Sequence, residues 1–244
     1  MAEPPRLPPA DPLIGFDYGG WWRRTMTVVG AIWPRLLILQ AIGAVVSVVC
    51  EAATGRLGES SGPGTAVAVA GVLVVFLVTL AVVPLMVLTA SGRPATVGTC
   101  LRVIARRVLP LIGLCLLAGV MLMVGFLLLV LPGIYLLLVL TTLVPVVAVE
   151  GGWAINRCFV LFDNRRRFAL ARCGTVVAVM LGGGAVASLV QATLGAGLGA
   201  IVAGNLLTTA VYALVGPLSV TAYAAMRALL EPVSTEDLAR QMLG

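Results

Sequence analysis

The sequence contains no lysine and no histidine, and its ten acidic residues are scattered along 244 positions. Hydrolytic chemistry usually draws its base from histidine or from paired carboxylates, and zinc sites draw their ligands from histidine and cysteine. Neither set is assembled here, so the chain is expected to be no enzyme, with no catalytic residue, no metal site and no cofactor. Cysteine is also sparse. Cys50, Cys100, Cys115, Cys158 and Cys173 never fall into a CxxC spacing and mostly lie in or beside apolar runs. That pattern excludes a disulfide framework and reads as small buried hydrophobes. Charge of either sign is scarce, at 11% of residues against roughly 25% in soluble domains. Gly182-Gly183-Gly184 has no strand before it and no Lys-Ser/Thr after it, so it makes no phosphate loop. A compact basic domain with aromatic platforms is missing too, which argues against a nucleic-acid partner.

Apolar residues, by contrast, make up 60% of the chain, far above the roughly 45–50% of soluble domains. Mean hydropathy is +1.10. An all-α polytopic membrane bundle is the expected fold, in one membrane domain over residues 16–230. Six spans are predicted at 34–53, 66–90, 108–130, 134–149, 170–194 and 200–226. Residues 1–15, Pro-rich and without a signal-peptide core, read as a disordered tail, and 231–244 as a second tail. Within that second tail, Ser234 three residues before Asp237 predicts a capping box.

All sixteen basic residues are arginines, giving a net charge of +6 that cannot be neutralised near pH 7. Fifteen fall on one side of the predicted topology and Arg56 alone on the other. The arginine bias places both termini in the cytoplasm of a cell whose inner membrane the chain crosses. Tryptophans Trp21, Trp22, Trp33 and Trp153 are expected at that same interface.

Three segments repeat one pattern, a short basic amphipathic helix followed directly by a span. In the first, Trp22, Met26, Val29 and Trp33 share a predicted apolar face, away from Arg23 and Arg24. Arg102, Arg106 and Arg107 mark the second segment, and Arg157, Arg165, Arg166 and Arg167 the third. These nine arginines are candidate contacts for anionic lipid or a partner protein, each worth about 1 kcal/mol near an acidic leaflet. Setting topology is their plainer role.

Glu150 closes the fourth predicted span. It reads as an anchor for Arg157 or another interfacial arginine, and alternatively as a site for a cation or proton. Thr141, Gln191, Asn205 and Thr208 are polar residues within predicted spans. Gln191 and Asn205 suit a helix-pairing hydrogen bond, while all four together would line a polar path if the chain were a transporter or channel subunit. Gly184, Ser188, Ala192 and Ala196 recur every four residues and predict a small-residue packing face, equally suited to a homo-oligomer.

Leu131-Pro132-Gly133-Ile134-Tyr135, read as a tight turn entering the fourth span, is followed by Pro145-Val146-Val147, Glu150, Ala154, Arg157 and the basic run through Arg167. Together with Gly92-Arg93-Pro94, this layout resembles the membrane domain that accompanies some bacterial glycerophosphodiester phosphodiesterases, and related multi-span proteins. The resemblance implies six helices with interfacial elbows. It supplies no activity, because the metal-binding carboxylates and histidines of the phosphodiesterase domain have no counterpart here. Cys158 stands where that pattern has serine, and Leu136 to Leu140 stay apolar where it places a basic residue. The expected function is therefore an accessory or scaffold role at the membrane, with a transporter or channel subunit as the alternative.

Overall fold

The computed structural model describes residues 11–58, 62–151, 154–195 and 197–243. Trp153 and Ala196 lie outside them. Among the described residues there are nine helices and no strand: α1 (Tyr18–Leu57), α2 (Gly62–Ala90), α3 (Val97–Leu128), α4 (Val130–Leu140), α5 (Leu143–Val149), α6 (Ala154–Asn164), α7 (Arg166–Leu194), α8 (Leu198–Ala228) and α9 (Thr235–Leu243). Six stretches are long and apolar enough to cross a membrane: α1, α2, α3, α4 with α5, α7, and α8 from Val202. The fold is thus an all-α bundle of a multi-pass membrane protein.

Two of the three predicted elbows are not separate helices. α1 runs unbroken for 40 residues and α3 for 32, so each basic segment is the first part of its span. Pro34 and Pro110 lie inside them, yet the helices continue, as membrane helices permit when neighbours take up the freed backbone groups. Only the third unit keeps a distinct short helix, α6, because Arg165 leaves helical geometry at φ −140°, ψ 74°. α1 also extends to Leu57, past the predicted end of the first span at residue 53.

α1 packs on the protein through a face beside the predicted apolar one, with Val29 of the predicted face also buried. Trp21, Thr25, Val28, Ile32, Leu36 and Leu39 are buried at helical spacing, while Trp22 and Trp33 are exposed. Trp21 is fully buried, beside Val176 of α7 and Leu218 and Ala222 of α8. Thr25 and Thr221 share a buried hydrogen bond of 2.9 Å that ties α1 to α8.

The turn between α3 and α4 falls at extended Leu129, one helical turn before Gly133. Pro132 occupies the first turn of α4, where its missing N–H costs nothing. Gly133 is required by contact. A Cβ there would stand 2.4 Å from Phe126 Cδ1. On α7, the close approach to α8 uses Gly183, where a Cβ would meet Val211 at 2.3 Å, and not Gly184, which has open space.

Neither tail is loose where it is described. Leu13 and Ile14 are buried, and Asp11 accepts hydrogen bonds from the Thr235 hydroxyl and, at 2.8 Å, from the Thr235 backbone N–H. Leu238, Ala239 and Met242 of α9 join the main core. The Ser234–Asp237 capping box forms, with Ser234 N–H donating to Asp237 at 3.0 Å and Asp237 N–H donating to Ser234 Oγ at 3.3 Å. Asp11 and Thr235 put the two described ends at the same end of the bundle, which fits an even number of crossings. Packing concentrates at that end, around Leu36, Leu85, Ile104, Val146, Cys158 and Tyr223. The far halves of the long helices present Val45, Val69, Leu127, Leu189 and Leu206 outward, as a lipid-facing surface does.

Candidate functional site

Where α5 ends, Glu150 organises four charges drawn from separate parts of the chain. Its Oε2 accepts from Arg157 Nε at 2.8 Å, and its Oε1 accepts from the Tyr223 hydroxyl at 2.7 Å with Arg227 Nη1 3.5 Å away. Glu231 closes the ring, accepting from Arg157 and, at 3.3 Å, from Arg227 Nε. Carboxylate and guanidinium alternate, so every charge has two opposite neighbours. Burial alone would weaken the charge on Arg157, but Glu231 and Glu150 outweigh it and raise its pKa. For Glu231 burial likewise opposes ionisation, and the hydrogen bond from Arg157 with the fields of Arg157 and Arg227 holds the carboxyl below its ordinary range. This ring joins α5, α6 and α8. It is an anchor, and its acids are neutralised from within the protein.

Arg107 closes the same end. Its Nη1 donates to Val147 and Ala148 carbonyls at 3.1 and 2.8 Å, satisfying the last turn of α5 and meeting the negative end of that helix. Arg24 donates to the carbonyls of Asp11 and Ile14. Of the nine candidate arginines, Arg24, Arg107 and Arg157 therefore serve the fold. Arg106 is half-buried, while Arg23, Arg102, Arg165, Arg166 and Arg167 are exposed.

Sequence reasoning passed over Arg172, Tyr223 and Arg227. Arg172 is buried, stacks on Phe168 at 3.4 Å, and donates to the carbonyls of Gly15 and Phe16 at 2.9 and 2.8 Å, pinning the N-terminal segment to α7. Its place inside an apolar run was the one available signal, since a charge there is retained only with partners.

Two of the exposed arginines share one site. Arg166 and Arg167 line a groove of about 350 Å³ whose floor is Leu131, Ile134, Leu138 and Leu170. Tyr135 also borders it, its hydroxyl donating to Asp163 at 3.2 Å while Asp163 accepts from Arg166 Nε at 2.9 Å. Tyr135 is held there edge-on to Phe162, with ring centroids 5.6 Å apart. The groove thus offers an apolar trough with guanidinium groups at its margin. No family model, no curated protein and no solved structure matches the chain. What the groove does must be argued from its own chemistry.

The four polar residues of the predicted path are not gathered together. Thr141 donates to Leu137 O at 2.8 Å at the α4–α5 junction. Gln191 lies against Gly204 of α8, and Asn205 accepts from Ser47 at 3.0 Å and donates to Glu51 at 3.3 Å. Thr208 lies one turn further along α8. Thus Gln191, Asn205 and Thr208 belong to the α7–α8 pair, and Thr141 to the α4–α5 element. Burial pushes the Cys158 thiol up to about 12, so it stays protonated and packs as a hydrophobe. Among the described residues no group of acids and cysteines is arranged to hold a metal ion.

Proposed function

We propose that this chain is a non-enzymatic accessory protein of the cytoplasmic membrane, with both termini cytoplasmic, that engages anionic phospholipid along the Arg166–Arg167 groove. The observation that carries the reading is the pairing of an apolar floor with two exposed guanidiniums on one short segment. Guanidinium forks match phosphate geometry, and the Leu131–Leu138 face of α4 can lie along an acyl chain. Asp163 takes one edge of Arg166, while Arg167 projects at the groove margin. Arg23, Arg102 and Arg165 add field on the same arginine-rich side. The resemblance to a phosphodiesterase-associated membrane domain supports an accessory role alongside a lipid-active partner.

The test is lipid retention. Purified protein carrying Arg166→Gln and Arg167→Gln together is expected to lose most co-purifying phosphatidylglycerol and cardiolipin, at about 1 kcal/mol per arginine. Retention in the parent protein should fall as salt rises. Equal anionic lipid in parent and variant would contradict the proposal.

A further inference from the structure

A second concavity lies at the other end of the bundle and has the opposite charge. α1 and α2 touch where Gly71 meets Cys50, so closely that a Cβ on Gly71 would fall 2.7 Å from Cys50 Cβ. Beside that contact a cavity of about 840 Å³ opens between α1, α2 and α8. Its walls include Val72, Val75 and Phe76 of α2 and Tyr212 of α8, and Glu51 of α1 contributes a carboxylate.

The partners of Glu51 are neutral and distant. Ser47 Oγ lies 3.4 Å from its Oε1, and Asn205 Nδ2 donates at 3.4 and 3.3 Å to the two carboxylate oxygens. Among the described residues no ion pair includes Glu51. Arg56, the basic residue that follows it on α1, is five positions along and so on a different face. Glu51 is exposed at the rim of the cavity, and a carboxylate beside an apolar surface is stabilised by a cation that lies on that surface. Among the described residues this one meets none, in contrast to Glu150 and Glu231.

We propose that this cavity binds a lipophilic organic cation, an ammonium or phosphonium centre carrying an apolar body. The charge sits against Glu51, and the body lies on Val72, Val75 and Phe76. The aromatic faces of Phe76 and Tyr212 add cation–π attraction. The volume is within the roughly 300–1,000 Å³ of small-molecule sites. A zwitterionic phospholipid is a poorer occupant, because its phosphate would lie beside the Glu51 carboxylate. The site is separate from the arginine groove, so its test does not depend on lipid retention there.

The experiment is equilibrium dialysis of tetraphenylphosphonium against the full chain in phosphatidylcholine nanodiscs. Tetraphenylborate, of the same shape and opposite charge, is the comparison ligand. Saturable phosphonium binding is expected, weakened at least tenfold by Glu51→Gln and largely retained by Glu51→Asp. Val72→Trp, which fills the cavity and leaves the carboxylate in place, should also abolish it. Thermal unfolding of each variant verifies that the bundle is intact, and Val72→Trp and Glu51→Gln probe the site from independent sides. Unchanged binding by Glu51→Gln, equal binding of tetraphenylborate, or displacement of the phosphonium by phosphatidylethanolamine would overturn the proposal.

Discussion

Glu150 and Glu231 show how much two acidic residues do in a chain with so few. Replacing Glu150 by Ala leaves Arg157 and Arg227 facing each other with half their compensation removed. The expected loss is about 2 kcal/mol, below the roughly 3–5 of a fully buried pair because Arg157 keeps a quarter of its side chain exposed. A lowered thermal midpoint in detergent measures it. Glu231 gives the acid dependence. Its folded pKa lies below the ordinary 4.5, so its contribution is fully present above pH 4.5 and disappears as the pH drops through the depressed value. Unfolding followed from pH 7 to pH 3 should show stability falling below about pH 4.5, and Glu231→Gln should remove part of that fall. Glu150 was legible as an anchor because a carboxylate ending an apolar run needs a cation nearby. Tyr223 and Arg227 were not, since nothing in the order of residues shows that the end of α8 returns to the end of α5.

At the level of elements, spans were legible from apolar length, and their boundaries were not. A basic amphipathic segment followed by a span gives the same sequence pattern whether the helix bends between them or continues, and α1 and α3 continue past Pro34 and Pro110 although each proline removes one helix hydrogen bond. The small-residue face was right in kind but displaced by one residue, or about 100° around α7, because spacing by four does not choose between adjacent faces. Glycine substitutions distinguish a close approach from open space. Gly133→Ala forces the Phe126 ring to move and should cost about 1–3 kcal/mol, whereas Gly184→Ala meets open space and should gain up to about 1 kcal/mol from helix propensity. Thermal midpoints of the two variants should therefore shift in opposite directions. The groove makes a further prediction about where the α3–α4 hairpin tip lies. Leu131 shares it with Arg167, so Leu131→Cys and Arg167→Cys, in a background lacking the native cysteines, should be joined by a short bifunctional thiol reagent. Failure to crosslink would mean the hairpin stands away from α7.

On the scale of the whole molecule, the bundle is packed at one end and open at the other. The packed end gathers both described chain ends, the Glu150 ring, Arg107 and Arg172, and beside it the arginine groove. The open end exposes aliphatic side chains to lipid and holds the Glu51 cavity. Charge of one sign thus marks each concavity. Composition alone made the membrane architecture legible, since 60% apolar residues leave no soluble alternative. Which arginines stay exposed after the fold has used the others was not legible, because that depends on contacts between residues far apart in sequence. The most direct measurement is photocrosslinking with a phosphatidylglycerol carrying a diazirine near the head of one acyl chain, followed by mapping of the adducts. The account predicts adducts concentrated on residues 131–138 and 162–170, and their loss in the Arg166→Gln, Arg167→Gln variant. Adducts spread evenly over the lipid-facing surface, or obtained equally with the phosphatidylcholine analogue, would contradict it.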